Sequence, residues 1–108
     1  MNSSDPPLGQ HLVLREQLPL SKTYVAPRTP TEQRLAEIWR TVLSMDFVGV
    51  EDDYFDLGGD SLLAAAIFGR IGHTFQIAIP MATLIEAPSI AQLASRIDAL
   101  LYTEPGKK

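Results

Sequence analysis

The chain has 108 residues, no cysteine and a net charge of -4, so neither a disulfide nor a thiolate metal site can support its core. Thirteen acidic against nine basic side chains oppose binding to nucleic-acid phosphates, which rests on Lys and Arg contacts. No apolar run approaches the ~18 residues of a membrane span and no signal-peptide pattern opens the chain, so a cytoplasmic monomer without a membrane anchor is expected.

Residues 1–27 are rich in Ser, Pro and isolated charges and lack a sustained period beyond the short His11 to Leu14 stretch. They read as a flexible N-terminal linker with one docking segment at Leu18 to Leu20. The compact domain is expected over residues 28–102, about 75 residues and near the lower limit for an unaided core. Residues 103–108, with Pro105, Gly106 and two terminal lysines, read as a flexible C-terminal tail.

Thr29-Pro30-Thr31-Glu32 predicts the start of a first helix: Thr29 can cap, Pro30 suits the first helical position and Glu32 can close a capping box. Leu35, Ile38, Trp39, Val42 and Leu43 then form one apolar stripe. Met45 to Asp60 is a long connection, but Val48, Val50, Tyr54, Phe55 and Leu57 predict a structured loop held on the core, with a single helical turn around Tyr54.

A second helix is predicted from Asp60 or Ser61 to about Gly72, with Gly72 and His73 as its stop. Pro80 opens a short third helix over Met81 to Glu86, which Pro88 ends. Ser89 to Gln92 offers a second capping box, starting a fourth helix with Ile90, Leu93, Ala94, Ile97 and Leu101 on one face. Phe75 to Ile79 alternates like a strand but has no partner strand and is taken as an extended loop. The expected fold is all-α, a small bundle of three longer helices and one short one.

The segment that carries chemistry is DYFDLGGDSL, Asp53 to Leu62. Gly58 and Gly59 allow a sharp bend with little bulk, and Asp60 can serve as N-cap, which frees Ser61 to project from an exposed helix start. On the second helix, Ala64, Ile67, Phe68 and Ile71 face one way, with Leu63 at the margin. Leu62, Ala65, Ala66 and Gly69 face the other, an apolar, flat surface suited to a docking partner. The competing reading packs these small residues against the long loop or the third helix. Glu51, Asp52, Asp53, Asp56 and Asp60 lack the alternating ligand pattern of a calcium loop. They read as caps and solvated charge, with no metal bound.

Tyr24 to Ile97, through YVAPRTPTE, DDYFDLGGDSL and IPMATLIEAPSIAQLA in that order, resembles the peptidyl carrier (thiolation) domain of nonribosomal peptide synthetases, in the acyl-carrier-protein-like superfamily. The resemblance implies that Ser61, flanked by Gly58, Gly59, Asp60 and Leu62, receives 4'-phosphopantetheine from coenzyme A through a separate phosphopantetheinyl transferase. It implies a noncatalytic carrier whose arm holds aminoacyl, peptidyl or acyl groups as thioesters. The implied partners are an adenylation domain or ligase, then condensation, thioesterase or tailoring enzymes. Leu62 and Ala65 match positions that contact such partners. The absence of acidic residues from Leu62 to His73, together with Arg70, favours the peptide-synthetase type over carriers of fatty acid synthesis. Gln76 departs from the family, which often has glycine at that turn. LPLSKTYVAPRTP resembles the junction after an adenylation domain without its catalytic lysine motif; Met1 leans toward a free-standing carrier over an excised piece.

Two other classes compete. A GDSL-type serine hydrolase would require an α/β sheet, oxyanion donors and an Asp-x-x-His pair, and neither His11 nor His73 is placed to serve Ser61. An unmodified helical interaction module would use the flat helix face, with Ser61 as a cap.

Overall fold

In the computed structural model, which describes residues 12–102, the capping box expected at Thr29 is formed and opens α1 (Pro30–Leu43). The Thr29 hydroxyl accepts from the Glu32 N–H at 3.1 Å, and the Glu32 carboxylate accepts from the Thr29 N–H at 3.3 Å. Arg28 braces the same carboxylate, its backbone N–H donating at 2.8 Å and its guanidinium at 2.9 Å. The Arg28 side-chain hydrogen bond is the largest cause holding the Glu32 carboxyl below the usual carboxylate range, against the opposing effect of burial.

That direction sets a pH dependence. A carboxyl whose pKa is lower folded than unfolded adds stability in full above its unfolded value of about 4.3. The contribution is lost as the pH falls through the lower folded value. Glu32→Gln, which keeps a cap oxygen and removes the charge, is expected to cost about 1.5 kcal/mol at pH 7. Urea denaturation should show the variant and the wild type converging as the pH falls below the usual carboxylate range; a gap that stays the same at neutral and acid pH would contradict the assignment.

Leu35, Trp39 and Leu43 of α1 are buried, and α1 packs against both α2 (Ser61–Phe75) and α4 (Ile90–Tyr102). α3 (Thr83–Glu86) adds Leu84 to the same core. At α4 the second expected capping box is present: the Ser89 hydroxyl accepts from the Gln92 N–H at 3.2 Å, and the Gln92 side-chain oxygen accepts from the Ser89 N–H at 3.3 Å. Ile90, Leu93, Ala94 and Ile97 are buried, whereas Leu101, expected on that face, is exposed near the helix end. No strand forms among the described residues; residues 77–80 have no regular secondary structure, Phe75 belongs to α2, and the lone β-bridge is Val13 with Met45.

The connection from Met45 to Asp60 is structured, as expected. Val48, Val50, Asp52 and Tyr54, every second residue, are buried. Its backbone is sewn to neighbouring segments: the Val50 N–H donates to the Val25 carbonyl at 2.9 Å, the Ala91 N–H to the Val50 carbonyl at 2.9 Å and the Tyr54 N–H to the Pro88 carbonyl at 2.8 Å. Leu57 N–H to Asp53 carbonyl, at 3.1 Å, closes the expected helical turn beside Tyr54.

Two expectations are corrected. α2 does not stop at Gly72; it runs to Phe75 and ends where Gln76 enters the left-handed region at φ 58. Gln76 terminates it by donating from its backbone to the Gly72 carbonyl at 2.9 Å and from its side chain to the His73 carbonyl at 2.7 Å. A Cβ at Gly72 would sit 3.4 Å from the Ile77 carbonyl, an ordinary contact, so the helix continues through this glycine without requiring it. α3 starts at Thr83, because Pro80 to Ala82 form i to i+3 turns before it.

In the N-terminal segment, residues 1–11, with His11, and 103–108 lie outside the described residues; within residues 12–27 the docking segment expected at Leu18 to Leu20 packs on the core. Arg15 to Gln17 make a short 3₁₀ turn, and Leu18, Leu20 and Val25 pack on the core. The Val13 N–H donates to the Ser44 carbonyl at 2.6 Å, and its carbonyl accepts from the Asp46 N–H at 3.0 Å. The segment is a strap across the start of the Met45 to Asp60 connection.

Candidate functional site

The bend before α2 is built by two glycines with different tasks. Gly58 has φ +92, a conformation that side chains other than glycine adopt rarely, with open space around it. Gly59 passes directly over the ring of Tyr54, where an added methyl would overlap the ring carbons. Tyr54 is fully buried, sets its ring edge-on to Trp39 at 6.0 Å between centroids, and donates its hydroxyl to the Asp60 carbonyl at 2.7 Å. Burial, followed by the Asp60 charge, pushes the Tyr54 phenol up from its ordinary value.

Asp60 is the N-cap: its carboxylate accepts from the Leu63 N–H at 2.9 Å. Ser61 therefore occupies the first helical position with its side chain exposed and not spent on capping. Its immediate neighbours add no bulk at Gly58 and Gly59, so a large enzyme can reach the hydroxyl. The residues present fit a covalently attached phosphopantetheine, which requires an accessible alcohol.

The face of α2 expected to dock a partner is open to solvent. Leu62 is 79% exposed, and Ala65, Ala66 and Gly69 are exposed beside it, while Ala64, Ile67 and Ile71 are buried and Leu63 and Phe68 half-buried. A Cβ at Gly69 would meet nothing within 4 Å. The alternative in which the small residues pack against the long loop or α3 is thus corrected. These residues form one contiguous apolar surface rather than a scatter of single exposed side chains.

Three further apolar side chains extend the surface beyond the residues that the sequence singles out. Ile85 is 72% exposed, Phe55 49% and Met81 41%. With Ser61 and Ala64 they line a shallow cavity of about 180 Å³ at the foot of α2. For Ile85 the sequence holds a signal: in a single-turn helix Leu84 and Ile85 point about 100° apart, so burying one exposes the other.

The acidic residues near the bend divide into two kinds. Asp53 caps the turn, its carboxylate accepting from the Phe55 N–H at 2.7 Å, as Asp60 caps α2. Asp52 is not solvated charge. Its side chain is fully buried and pairs with Arg15, which donates from Nε and Nη2 at 2.7 Å each, while the Gly49 N–H adds a third bond at 2.8 Å. Among the described residues no three His, Cys, Asp or Glu side chains gather to hold a metal, and none of the helices is long and apolar enough to cross a membrane.

The helical bundle presents a serine not spent on capping, one residue after a diglycine bend. The sequence model of the family described as "Phosphopantetheine attachment site" matches residues 33–97, and the chain belongs to that family. It is similar to one of the linear gramicidin synthase subunits of Brevibacillus parabrevis, 45% identical over 85 residues that make up 79% of this chain and 1% of that protein. It is also similar to chondramide synthase of Chondromyces crocatus, 43% identical over 96 residues, 89% of this chain and 2% of that one. The chain thus spans only 1% to 2% of the length of these curated relatives.

Solved structures agree with the fold. An active-site mutant of a peptidyl carrier protein, studied in solution, superposes with a TM-score of 0.75 at 31% identity, covering 80% of this chain and 96% of that one. A chain in the complex of the phosphopantetheine transferase Sfp with coenzyme A and a peptidyl carrier protein gives a TM-score of 0.69 at 36% identity, covering 70% and 99%. The bundle is the carrier-protein fold expected from the resemblance.

Proposed function

We propose that Ser61 is the point at which 4'-phosphopantetheine is attached, and that the chain serves as a peptidyl carrier in nonribosomal peptide biosynthesis. The observation that carries this reading is an exposed serine at the first position of α2 with the cap already supplied by Asp60. The relatives that match most of this chain are peptide synthases by name, and a similar carrier is held in a complex with a transferase and coenzyme A.

In the loading step the Ser61 Oγ attacks the phosphorus nearest the pantetheine in coenzyme A. The Oγ–P bond forms, the pyrophosphate P–O bond breaks, and the serine proton passes to a base on the transferase. Adenosine bisphosphate leaves. The attached arm supplies a thiol that holds an aminoacyl, peptidyl or acyl group as a thioester, tethered at high effective concentration near successive partner sites. The chain itself binds and presents and does not catalyse.

The partners would be a phosphopantetheinyl transferase, an adenylation domain or ligase, and condensation, thioesterase or tailoring enzymes. The carrier domain that meets them spans residues 28–102, with the preceding strap packed on it, and works as a monomer in the cytoplasm, where coenzyme A is the donor. Leu62, Ala65, Ala66 and Gly69, with Ile85, Phe55 and Met81 beside them, are the contact surface. Peptide mapping after incubation with coenzyme A and a phosphopantetheinyl transferase should find the added group on Ser61; a group on any other residue would overturn the assignment.

The docking face has its own test. Leu62→Asp is expected to slow modification about tenfold or more, because it sets a charge in an apolar contact and removes almost no core. Thermal unfolding should stay within about 0.5 kcal/mol of wild type. Unchanged modification kinetics would remove Leu62 from the contact surface.

A further inference from the structure

We infer that the Tyr54 hydroxyl is a positioning group for the modification of Ser61, an inference that rests on Ser61 being the attachment point. Packing in the core requires only the ring, which lies fully buried edge-on to Trp39. The hydroxyl does something else. It donates to the carbonyl of Asp60 at 2.7 Å, and that carbonyl belongs to the peptide joining Asp60 to Ser61.

The same carbonyl accepts the first intrahelical bond of α2, from the Ala64 N–H at 2.9 Å. A carbonyl oxygen has two lone pairs and takes both donors. Tyr54 also grips the bend from its other end, since its own backbone carbonyl accepts from the Gly59 N–H at 3.2 Å. Gly59, lacking a side chain, lies directly on the hydroxyl end of the ring. The residue therefore brackets Gly59 and Asp60, and the plane of the peptide carrying Ser61 is set by a side chain that cannot move. Its own anchor is the Tyr54 N–H to the Pro88 carbonyl, 2.8 Å, at the connection between α3 and α4.

The consequence is a fixed placement of the Ser61 Cα–Cβ bond, from which the Oγ extends, relative to the docking face. In-line attack on phosphorus depends on that placement, whereas binding to the transferase depends on Leu62 and its neighbours; the Tyr54 ring lies edge-on to one of these, Phe55, at 5.1 Å between centroids, a contact that removal of the hydroxyl alone leaves in place. Loss of the hydroxyl should thus appear in the chemical step and not in binding. Because burial raises the phenol's pKa, the hydroxyl remains a donor throughout the neutral range.

The test is Tyr54→Phe, which keeps the buried ring, assayed with coenzyme A and a phosphopantetheinyl transferase under conditions where chemistry limits the rate. The expected result is a fall in kcat of about three- to tenfold with KM for the carrier within about twofold of wild type. Tyr54→Leu, which also removes the ring, serves as the variant that reports lost packing, and melting curves establish how much of each sample is folded. A folded Tyr54→Phe protein with unchanged kcat would overturn the positioning role and leave the hydroxyl structural, as would a change confined to KM. A wild-type chain that accepts no group at Ser61 would overturn the attachment reading and this inference with it.

Discussion

Arg15→Ala is expected to lower the free energy of unfolding by about 3 kcal/mol, a large part of the ~5–15 kcal/mol typical of a small domain. The Asp52 carboxylate has no exposed surface, and Arg15 supplies two of its three hydrogen bonds. Removing the arginine strands a buried charge. It also frees the strap, which the same side chain ties through a hydrogen bond to the Lys22 carbonyl at 3.0 Å and a stacking contact with Tyr24 at 5.3 Å. Adding Asp52→Asn to Arg15→Ala removes that charge, so the double variant should lose less than the two single losses combined. Urea denaturation of the four proteins measures this; additive losses, or an Arg15→Ala protein as stable as wild type, would show that the strap is not part of the folded unit.

The second large effect is expected at Gly59. Gly59→Ala places a methyl group into the Tyr54 ring, which Trp39 and the core hold in place. The bend must move instead, at a cost of about 2–3 kcal/mol. Because the displaced peptide leads straight into Ser61, modification should slow by about 10²-fold as well. Gly58→Ala is the informative contrast. It meets open space and bears only the strain of its positive φ, about 1 kcal/mol. Equal stability losses at the two glycines, measured by denaturant unfolding, would contradict the notch over Tyr54.

What can be read from sequence follows from how local each signal is. The caps at Thr29 and Ser89 lie within four consecutive residues, and both form as expected. The exposed serine is legible for the same reason, since the Gly58-Gly59-Asp60 run specifies bend and cap without reference to the rest of the chain. The end of α2 is harder to place because Gly72 reads as a terminator. The helix runs on through it, and Gln76 adopts the left-handed turn despite its side chain.

The docking of Leu18 to Leu20 is legible in the sequence, but the Arg15–Asp52 pair that ties the strap is not, because it joins residues 37 positions apart. One clue is present. Asp52 stands between apolar Val50 and Tyr54 in a connection expected to be held on the core, and a carboxylate so placed calls for a buried cation. Arg15, within an apolar stretch from Leu12 to Leu20, is the candidate. The wider apolar surface escapes because Phe55 reads as core with its neighbours, although the tight turn at Tyr54 exposes it.

The most direct test is the intact mass of the wild-type chain and of Ser61→Ala, before and after incubation with coenzyme A and a phosphopantetheinyl transferase of broad carrier tolerance. The expected result is a gain of one phosphopantetheine in the wild type and none in the variant, with both proteins helical by circular dichroism. A folded wild-type chain that gains nothing, or a variant that gains the same mass, would contradict the carrier role assigned to Ser61.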